Sequence, residues 1–231
     1  MKKALSLFLT VIISICLLPG CTVRTSQSSY QYSNMTDYKA GDFKYDPKPI
    51  KSVSIDWFRG KLDIIQGSAD SEKLKVDEKA PDLSKNSRVH CRVSKDQLLI
   101  KYCASGYSTA AVSNLKHLIV EIPADVELNI YGGGAEININ GCSITELNCE
   151  SATGSVSVDD CTAEKLKIKT TVGGVKINLH EKKDADLKYT TVSGKLNADG
   201  YEKTDIKNNY KKGNGDCKIF VETLTGSLEI K

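Results

Sequence analysis

The body of the chain alternates apolar and polar residues with a period of two. Short alternating segments begin at Val53, Leu62 and Leu74, and each is typical of a β-strand with one buried and one exposed face. Two further segments, 89–93 and 98–102, are joined by a short polar stretch, which predicts a hairpin. No segment after the leader combines helical periodicity with capping residues at both ends. The pattern therefore predicts an all-β protein.

Beyond Tyr131 the alternating segments recur at a regular spacing. Glycines follow one another every twenty residues, and a similar corner near the C-terminus contains another; they are Gly134, Gly154, Gly174, Gly194 and Gly226. Two short strands and two corners make one unit of about 20 residues, which cannot bury its apolar face alone. Equivalent strands of successive units are therefore expected to stack ~4.8 Å apart. This predicts a β-solenoid of two-strand rungs with structural corners at these glycines, preceded by N-terminal strands and a hairpin.

Charged residues favour parallel stacking of the units. Glu146 precedes Lys165 by nineteen residues, and Glu150 precedes Lys169 by the same interval. Stacked rungs would place these opposite charges on neighbouring strands, and the crossover rule predicts a right-handed coil. The alternative is an antiparallel β-sandwich of the same strands. The two folds differ in whether equivalent strands of successive units pair with each other.

The first 21 residues are typical of a bacterial secretion signal. Lys2 and Lys3 precede an apolar run over 4–18, which is shorter than the ~20 residues of a transmembrane helix. The sequence Leu-Pro-Gly-Cys that ends at Cys21 resembles a lipobox, in which cleavage precedes a cysteine that carries the lipid. We therefore predict a signal peptide over 1–21 with lipid attachment at Cys21. An ordinary signal peptide or an uncleaved anchor is the alternative.

A polar segment separates this leader from the first strand. Residues 22–49 are rich in Ser, Thr and Tyr and lack periodicity over most of their length, which predicts a tether. Residues 50–231 are then a single β-repeat domain, which we expect to be extracytoplasmic and lipid-anchored to the bacterial membrane. Loss of the leader would leave 30 basic residues against 29 acidic ones. This balance gives no electrostatic footprint for nucleic acid.

Six cysteines remain outside the leader and the lipobox. Cys142 and Cys161 occupy the same place in successive units, where stacked backbones lie close enough for a disulfide. An anaerobic host would leave both reduced, whereas an oxidising compartment permits the bond. Cys149 alternates with apolar residues and is predicted in the core. The chain has no CxxC pair and its histidines are scattered, so no metal site is predicted.

Groups suited to catalysis are sparse. Asp159 and Asp160 are the only adjacent carboxylates in the repeats, and neighbours on a strand point in opposite directions rather than across a cleft. A serine nucleophile elbow, a calcium-binding nonapeptide and a dinucleotide fingerprint are all missing. The glycines at 132–134 precede no helix and therefore do not form a phosphate loop. We expect neither an enzyme nor a bound cofactor.

The order of the strand motifs resembles the putative-adhesin family of bacterial surface domains. The resemblance covers the sequence VSIDWFRGKLDIIQGSADSEKLKV from Val53, LIVEIPADVELNI from Leu118 and the corner that begins at Thr223. It implies a domain of unknown function built from β-strand repeats and, by analogy alone, a role in adhesion. The family has no catalytic residues to transfer to this chain.

These features predict a membrane-anchored extracytoplasmic lipoprotein with a non-enzymatic, adhesin-like binding domain. The binding surface is expected along outward-facing ladders such as Asn138, Ser157, Lys176 and Asn197. Besides the membrane that holds the lipid, the expected partner is a protein or glycan at the cell surface. The alternative is an envelope scaffold or stress-response accessory protein that contacts other membrane proteins.

Overall fold

The computed structural model describes residues 30–45, 50–67, 74–112, 116–182, 184–204 and 208–231. In these ranges the chain forms nineteen strands and three 3-10 turns, and the all-β prediction is confirmed. The turns lie at Met35–Asp37, Thr109–Ala111 and His180–Lys182. The strands are β1 (Lys39–Ala40), β2 (Phe43–Tyr45), β3 (Ser52–Trp57), β4 (Lys61–Gln66), β5 (Leu74–Lys79), β6 (His90–Ser94), β7 (Gln97–Lys101), β8 (His117–Ile122), β9 (Val126–Gly132), β10 (Glu136–Asn140), β11 (Ser143–Ser151), β12 (Val156–Val172), β13 (Val175–Leu179), β14 (Ala185–Ser193), β15 (Leu196–Ala198), β16 (Glu202–Lys203), β17 (Asn209–Lys212), β18 (Cys217–Thr225) and β19 (Leu228–Ile230).

The strands form two sheets that enclose one apolar core. Sheet A has the order β1-β6-β7-β3-β9-β11-β12-β18-β14-β17-β16. Sheet B has the order β2-β5-β8-β4-β10-β12-β13-β19-β15. The long strand β12 belongs to both sheets, because its first part pairs in sheet B and its second part, from Thr162, pairs in sheet A.

Equivalent strands of successive rungs pair in parallel. Ile137 on β10 lies opposite Val156 on β12, which in turn lies opposite Val175 on β13. Antiparallel pairs occur only towards the ends, where β5 and β6 join the first rung and β17 joins the last. The predicted β-solenoid is therefore confirmed, and the alternative antiparallel β-sandwich is wrong.

The order of the rungs in space departs from their order in the sequence. The C-terminal rung, β18 with β19, lies between the β12/β13 rung and the β14/β15 rung. At the other end, β3 with β4 lies between the β7/β8 and β9/β10 rungs. Direct stacking of successive units beyond Gly174 was therefore predicted wrongly. The inner place goes to the more apolar strands: the alternating residues of β18 and β19 from Ile219 on are buried, whereas Leu196 and Ala198 on β15 stay half-buried.

The corner glycines lie between a strand of sheet A and a strand of sheet B, as predicted, but their equivalence differs by one residue. The register makes the following positions equivalent: Ala135, Gly154, Gly173, Gly226 and Gly194. Gly134 and Gly174, which were predicted to be equivalent to Gly154, are each one residue away from these equivalent positions. The rung here therefore has nineteen residues rather than twenty. A Cβ atom at Gly154 would lie 1.7 Å from the Ala135 carbonyl oxygen, whereas one at Gly174 would meet nothing closer than 3.8 Å. Glycine is therefore required where neighbouring corners touch.

A hydroxyl residue stands three positions before each tightly packed corner glycine. The Gly154 amide donates to Ser151 Oγ over 3.0 Å, and that hydroxyl lies 3.3 Å from the Gly154 carbonyl. Thr170 and Thr223 donate in the same way to the carbonyls three residues later, over 3.2 and 3.0 Å. These local bonds satisfy backbone groups at the bend. These bonds explain why a Ser or Thr three residues before a Gly recurs along the sequence.

The predicted charge ladder on the outer face of sheet A is confirmed. Glu146 lies opposite Lys165 and Glu150 opposite Lys169. Lys165 Nζ lies 2.8 Å from Glu146 Oε1, and Lys169 Nζ lies 3.5 Å from Glu222 Oε2 on the next strand. Exposed pairs of this kind contribute little to stability. Their value here is that they fix the register independently of the core.

Part of the segment predicted as a tether belongs to the domain. Strand β1 pairs with β6 and β2 pairs with β5. Tyr30 is buried, donates to Asp56 Oδ2 over 2.9 Å and packs edge-on against Phe58. The boundary predicted at residue 50 is therefore wrong, because the tyrosines of this segment supply apolar area to the core. Residues 22–29 lie outside the described part of the chain.

A buried ion pair lies at the edge of the core, between β5 and the start of β8. Lys116 Nζ lies 2.6 Å from Glu78 Oε1 and donates to the carbonyls of Ser87 and Tyr102 over 2.7 and 2.6 Å. It also faces the Trp57 ring, 4.7 Å from the centroid. Burial lowers the pKa of Lys116, and the neighbouring carboxylate offsets this only in part. The sequence gives little sign of this pair beyond a lysine at the start of an apolar strand.

Candidate functional site

The predicted polar ladder runs across the outer face of sheet B. Asn138, Ser157 and Lys176 lie opposite one another on β10, β12 and β13. The next residue is Glu229 on β19, and Asn197 follows on β15. Lys176 and Asn197 therefore lie on one ladder but are not direct neighbours, because the C-terminal rung is inserted between them. Sequence reasoning missed Glu229, although the alternation in SLEI at 227–230 marks a strand.

At its N-terminal end the ladder continues into a cluster around Asp63. Asn138 Nδ2 donates to Asp63 Oδ1 over 3.0 Å, His117 Nε2 lies 2.7 Å from Oδ2, and Lys61 Nζ lies 3.1 Å from Oδ2. Partial burial raises the pKa of Asp63, but the hydrogen bonds from Asn138, His117 and Lys61 outweigh it and hold the pKa below its usual value. Asp63 is therefore a fixed carboxylate rather than a group prepared to exchange a proton near neutral pH.

Carboxylates and amides alternate along the middle of the same face. Asn138 Nδ2 also lies 3.0 Å from Glu136 Oε1, and Asn178 Nδ2 donates to Asp159 Oδ1 over 2.9 Å. Each amide nitrogen lies within hydrogen-bonding distance of a neighbouring carboxylate, which restrains both groups. The surface therefore presents rows of acceptors held in place by the strands, a suitable arrangement for a ligand with hydroxyl or amide donors.

At the C-terminal end the ladder borders a shallow depression of about 580 Å³. Val156, Val175 and Leu228 contribute to its floor, although their side chains are buried below. Its polar lining consists of Ser155, Ser157, Lys176, Lys195, Asn197, Ser227 and Glu229. Ammonium, carboxylate, amide and hydroxyl groups therefore surround a largely backbone floor. Such a surface can bind a polar ligand, but it places no nucleophile beside a base.

The carboxylates considered for catalysis bind separate partners. Asp159 accepts from Asn178 on β13, whereas Asp160 Oδ1 lies 2.7 Å from His180 Nδ1. Asp160 adopts a left-handed conformation (φ 51°) at a bulge in the register. The side chains of Asp160 and His180 are 60% and 45% exposed, so this pair lies at the solvent-exposed surface rather than in an enclosed site.

The structure places Cys142 and Cys161 side by side on neighbouring rungs. Both are buried with free thiols, and the Cys142 amide lies 3.4 Å from Cys161 Sγ. The hydrogen bond from one thiol to the other, together with burial, raises the pKa of Cys142. The predicted disulfide between them stays a prediction. Cys149 is buried in the core, as expected.

No group of three or more His, Cys, Asp or Glu within the described ranges is arranged to hold a metal ion. In the same part of the chain, no helix has the length and apolar character needed to cross a bilayer. Cys21 and the leader lie outside the described residues, so the lipid site stays a prediction.

Comparison with known proteins identifies the fold. A family model described as Toastrack DUF4097 matches residues 22–231. A crystal structure from Clostridium sporogenes, described as "a putative cell adhesion protein", is similar with a TM-score of 0.65 at 19% identity. The match covers 84% of this chain and 99% of that chain. It supports the same architecture and, at this identity, nothing finer.

A second solved structure is more distant. It is described as "a putative adhesin" from Bacteroides fragilis, and it matches with a TM-score of 0.37 at 12% identity over 84% of this chain and 97% of that chain. A search of the curated proteins gave no significant match.

Proposed function

Because this chain belongs to the Toastrack DUF4097 family, we propose that it is a membrane-anchored extracytoplasmic lipoprotein whose β-repeat domain binds a ligand without catalysing a reaction. The observation that carries the proposal is the polar ladder on sheet B, which runs without interruption from Asp63 to Asn197 across six strands. A long, regular row of polar and charged side chains suits an extended polar ligand better than a small substrate.

The proposed location has separate support. The basic start, the apolar run and the cysteine at residue 21 have the order of a lipoprotein leader. Only residues 22–29 would then separate the lipid from the packed Tyr30, a length that spans at most ~28 Å when extended. A domain held this close to its membrane would act at the envelope. The description of the Clostridium structure as an adhesion protein agrees with this role.

The proposal is tested by binding of the full chain to an array of envelope glycans, matrix proteins and envelope proteins. The informative variant is Lys176→Ala/Glu229→Ala, which removes opposite charges from the centre of the ladder. The control is Lys51→Ala/Asp96→Ala, which removes a similarly exposed pair from the N-terminal end of the solenoid. We expect the ladder variant alone to weaken binding by ~tenfold or more. Absence of any ligand, or equal losses in both variants, would contradict the proposal.

A further inference from the structure

The outer face of sheet A is divided into an acidic and a basic half. The outward positions of β3, β7, β9 and β11 hold four carboxylates and one lysine. The outward positions of β14, β17, β16, β18 and β12 from residue 165 on hold three carboxylates and six lysines, and one of these carboxylates, Glu202 on β16, lies opposite Lys211. We call these six residues together with Phe220 the basic face; the lysines are Lys165, Lys167, Lys169, Lys188, Lys211 and Lys218.

The two halves differ in how far their charges are neutralised within the chain. Three lysines of the basic face pair with carboxylates: Lys165 with Glu146, Lys169 with Glu222 and Lys218 with Asp186. Within the described residues, the other three form no ion pair. In the acidic half, by contrast, Asp56 is held by Lys101 at 2.7 Å and by Tyr30 at 2.9 Å. The excess charge on sheet A is therefore positive and lies at one end.

An exposed aromatic ring lies at the centre of this charge. Phe220 is 42% exposed and lies in register between Lys167 on β12 and Lys188 on β14. The two lysines are two strands apart, ~9.6 Å between Cα atoms. Elsewhere on this face Lys165 lies directly opposite Lys218, a like-charge neighbour that costs stability. Lysines that repel each other on a sheet surface serve stability poorly, which favours a binding role.

We infer that the basic face binds an anionic glycan, a polysaccharide with carboxylate, sulfate or phosphate groups. The ring of Phe220 would stack on the apolar face of one sugar, and Lys167 and Lys188 would each reach an anionic group on either side of it. The inference rests on the proposed extracytoplasmic location, where such polymers occur. It concerns sheet A, whereas the proposed ladder lies on sheet B.

Other anionic partners fit these observations less well. A single-stranded nucleic acid site would carry several aromatic residues for successive bases, and Phe220 is the one aromatic ring among these lysines. Leu224 and Val192 are also exposed on β18 and β14, so a bilayer surface is tested directly with vesicles in the experiment below. Tyr30, at which the proposed tether of residues 22–29 ends, packs on Phe58 after β3. That strand is four strands from β18, ~19 Å across the sheet, so a membrane at the tether need not meet the basic face.

The experiment measures binding of the detergent-solubilised full chain to immobilised heparin, as a sulfated probe, and to polygalacturonate, as a carboxylated probe. Neutral dextran and vesicles of phosphatidylglycerol are the comparison surfaces. We expect salt-sensitive binding to at least one anionic glycan and none to dextran. Lys167→Gln/Lys188→Gln should weaken it by ~tenfold or more and Phe220→Thr by ~fivefold. These positions are exposed, so the variants should keep the fold, which circular dichroism checks.

The matched control is Lys39→Gln/Lys44→Gln, which removes two exposed lysines from β1 and β2 at the far end of the solenoid. It should leave glycan binding within ~twofold of the original chain. Three results would overturn the inference. They are an equal loss of glycan binding in the two double-lysine variants, binding to vesicles alone, and no binding to either glycan. Since these variants leave sheet B intact, ligand binding through the ladder can fail or succeed independently.

Discussion

At the scale of single residues, the buried Lys116–Glu78 pair makes the sharpest prediction. Both side chains are fully buried, and the ammonium has three oxygen partners within 2.7 Å. Lys116→Met leaves the Glu78 carboxylate without its counter-charge, which should lower the free energy of unfolding by about 3–5 kcal/mol. Urea denaturation followed by circular dichroism measures the loss.

The double variant Lys116→Met/Glu78→Gln is the control for this interpretation. In the original chain the Val89 amide donates to the Glu78 carboxylate over 2.9 Å. A glutamine at this position keeps an oxygen for that amide but carries no charge. We expect the double variant to recover part of the stability lost by Lys116→Met. If it were less stable than Lys116→Met alone, the charge would not be the cause of the loss.

Cysteine chemistry gives a second prediction at this scale. Under oxidising conditions Cys142 and Cys161 should form a disulfide, since they are neighbours on adjacent rungs. Hydrogen bonds from the thiol and the amide of Cys142 lower the pKa of Cys161, which favours its thiolate. Cys103 and Cys149, by contrast, should stay as thiols because burial raises their pKa to about 11 and about 12. Peptide mapping without reduction measures the pairing. A fully reduced chain recovered from an oxidising compartment would refute this pairing.

Asp63 makes the stability of sheet B depend on pH. Its pKa in the folded chain lies below the usual 3.8, so its contribution is fully present above pH 3.8 and is lost as pH falls through the folded-state pKa. At pH 7 the original chain should exceed Asp63→Asn by about 1 kcal/mol in the free energy of unfolding. The gap should close below the folded-state pKa in urea titrations across pH. A gap that is independent of pH would show that the ionised carboxylate is not responsible.

At the scale of the structural elements, the corners separate required glycines from tolerated ones. Gly154→Ala would place Cβ 1.7 Å from the Ala135 carbonyl oxygen, whereas Gly174→Ala meets its nearest atom at 3.8 Å. We expect Gly154→Ala to destabilise the chain by roughly 3 kcal/mol and Gly174→Ala by less than about 1 kcal/mol. Thermal and urea unfolding of both variants provide the comparison. Similar losses would contradict the nineteen-residue register.

Alternation and spacing were enough to predict the strands, the parallel stacking and the Glu146–Lys165 neighbours. The order of the rungs was not predictable in the same way, because strands with the same period-two pattern fit beside one another in several orders. The choice depends on which strands bury most apolar area, and β18 and β19 take the inner place over β14 and β15. For this reason Glu229, which lies at the centre of the candidate site, was absent from the predicted ladder.

At the scale of the whole molecule, the two sheets present different chemistry to the outside. Sheet B carries fixed acceptors around Asp63 and Asn138, whereas the C-terminal half of sheet A carries excess lysine around Phe220. The sequence revealed the near-neutral total charge but not this division, since the lysines meet only when β18 is inserted between β12 and β14. The near-neutral net charge of the chain therefore gave no indication of this local basic surface.

The central claim is that the domain binds a ligand in the envelope while its N-terminus is anchored by lipid. Crosslinking of intact cells with a sulfonated, lysine-reactive reagent that does not cross the cytoplasmic membrane tests it most directly. We predict that the reagent captures the chain with envelope components through Lys176 or Lys195, which line the depression on sheet B. We also predict that Cys21→Ala loses those partners. A chain that the reagent cannot reach, or partners unchanged by Cys21→Ala, would contradict the account.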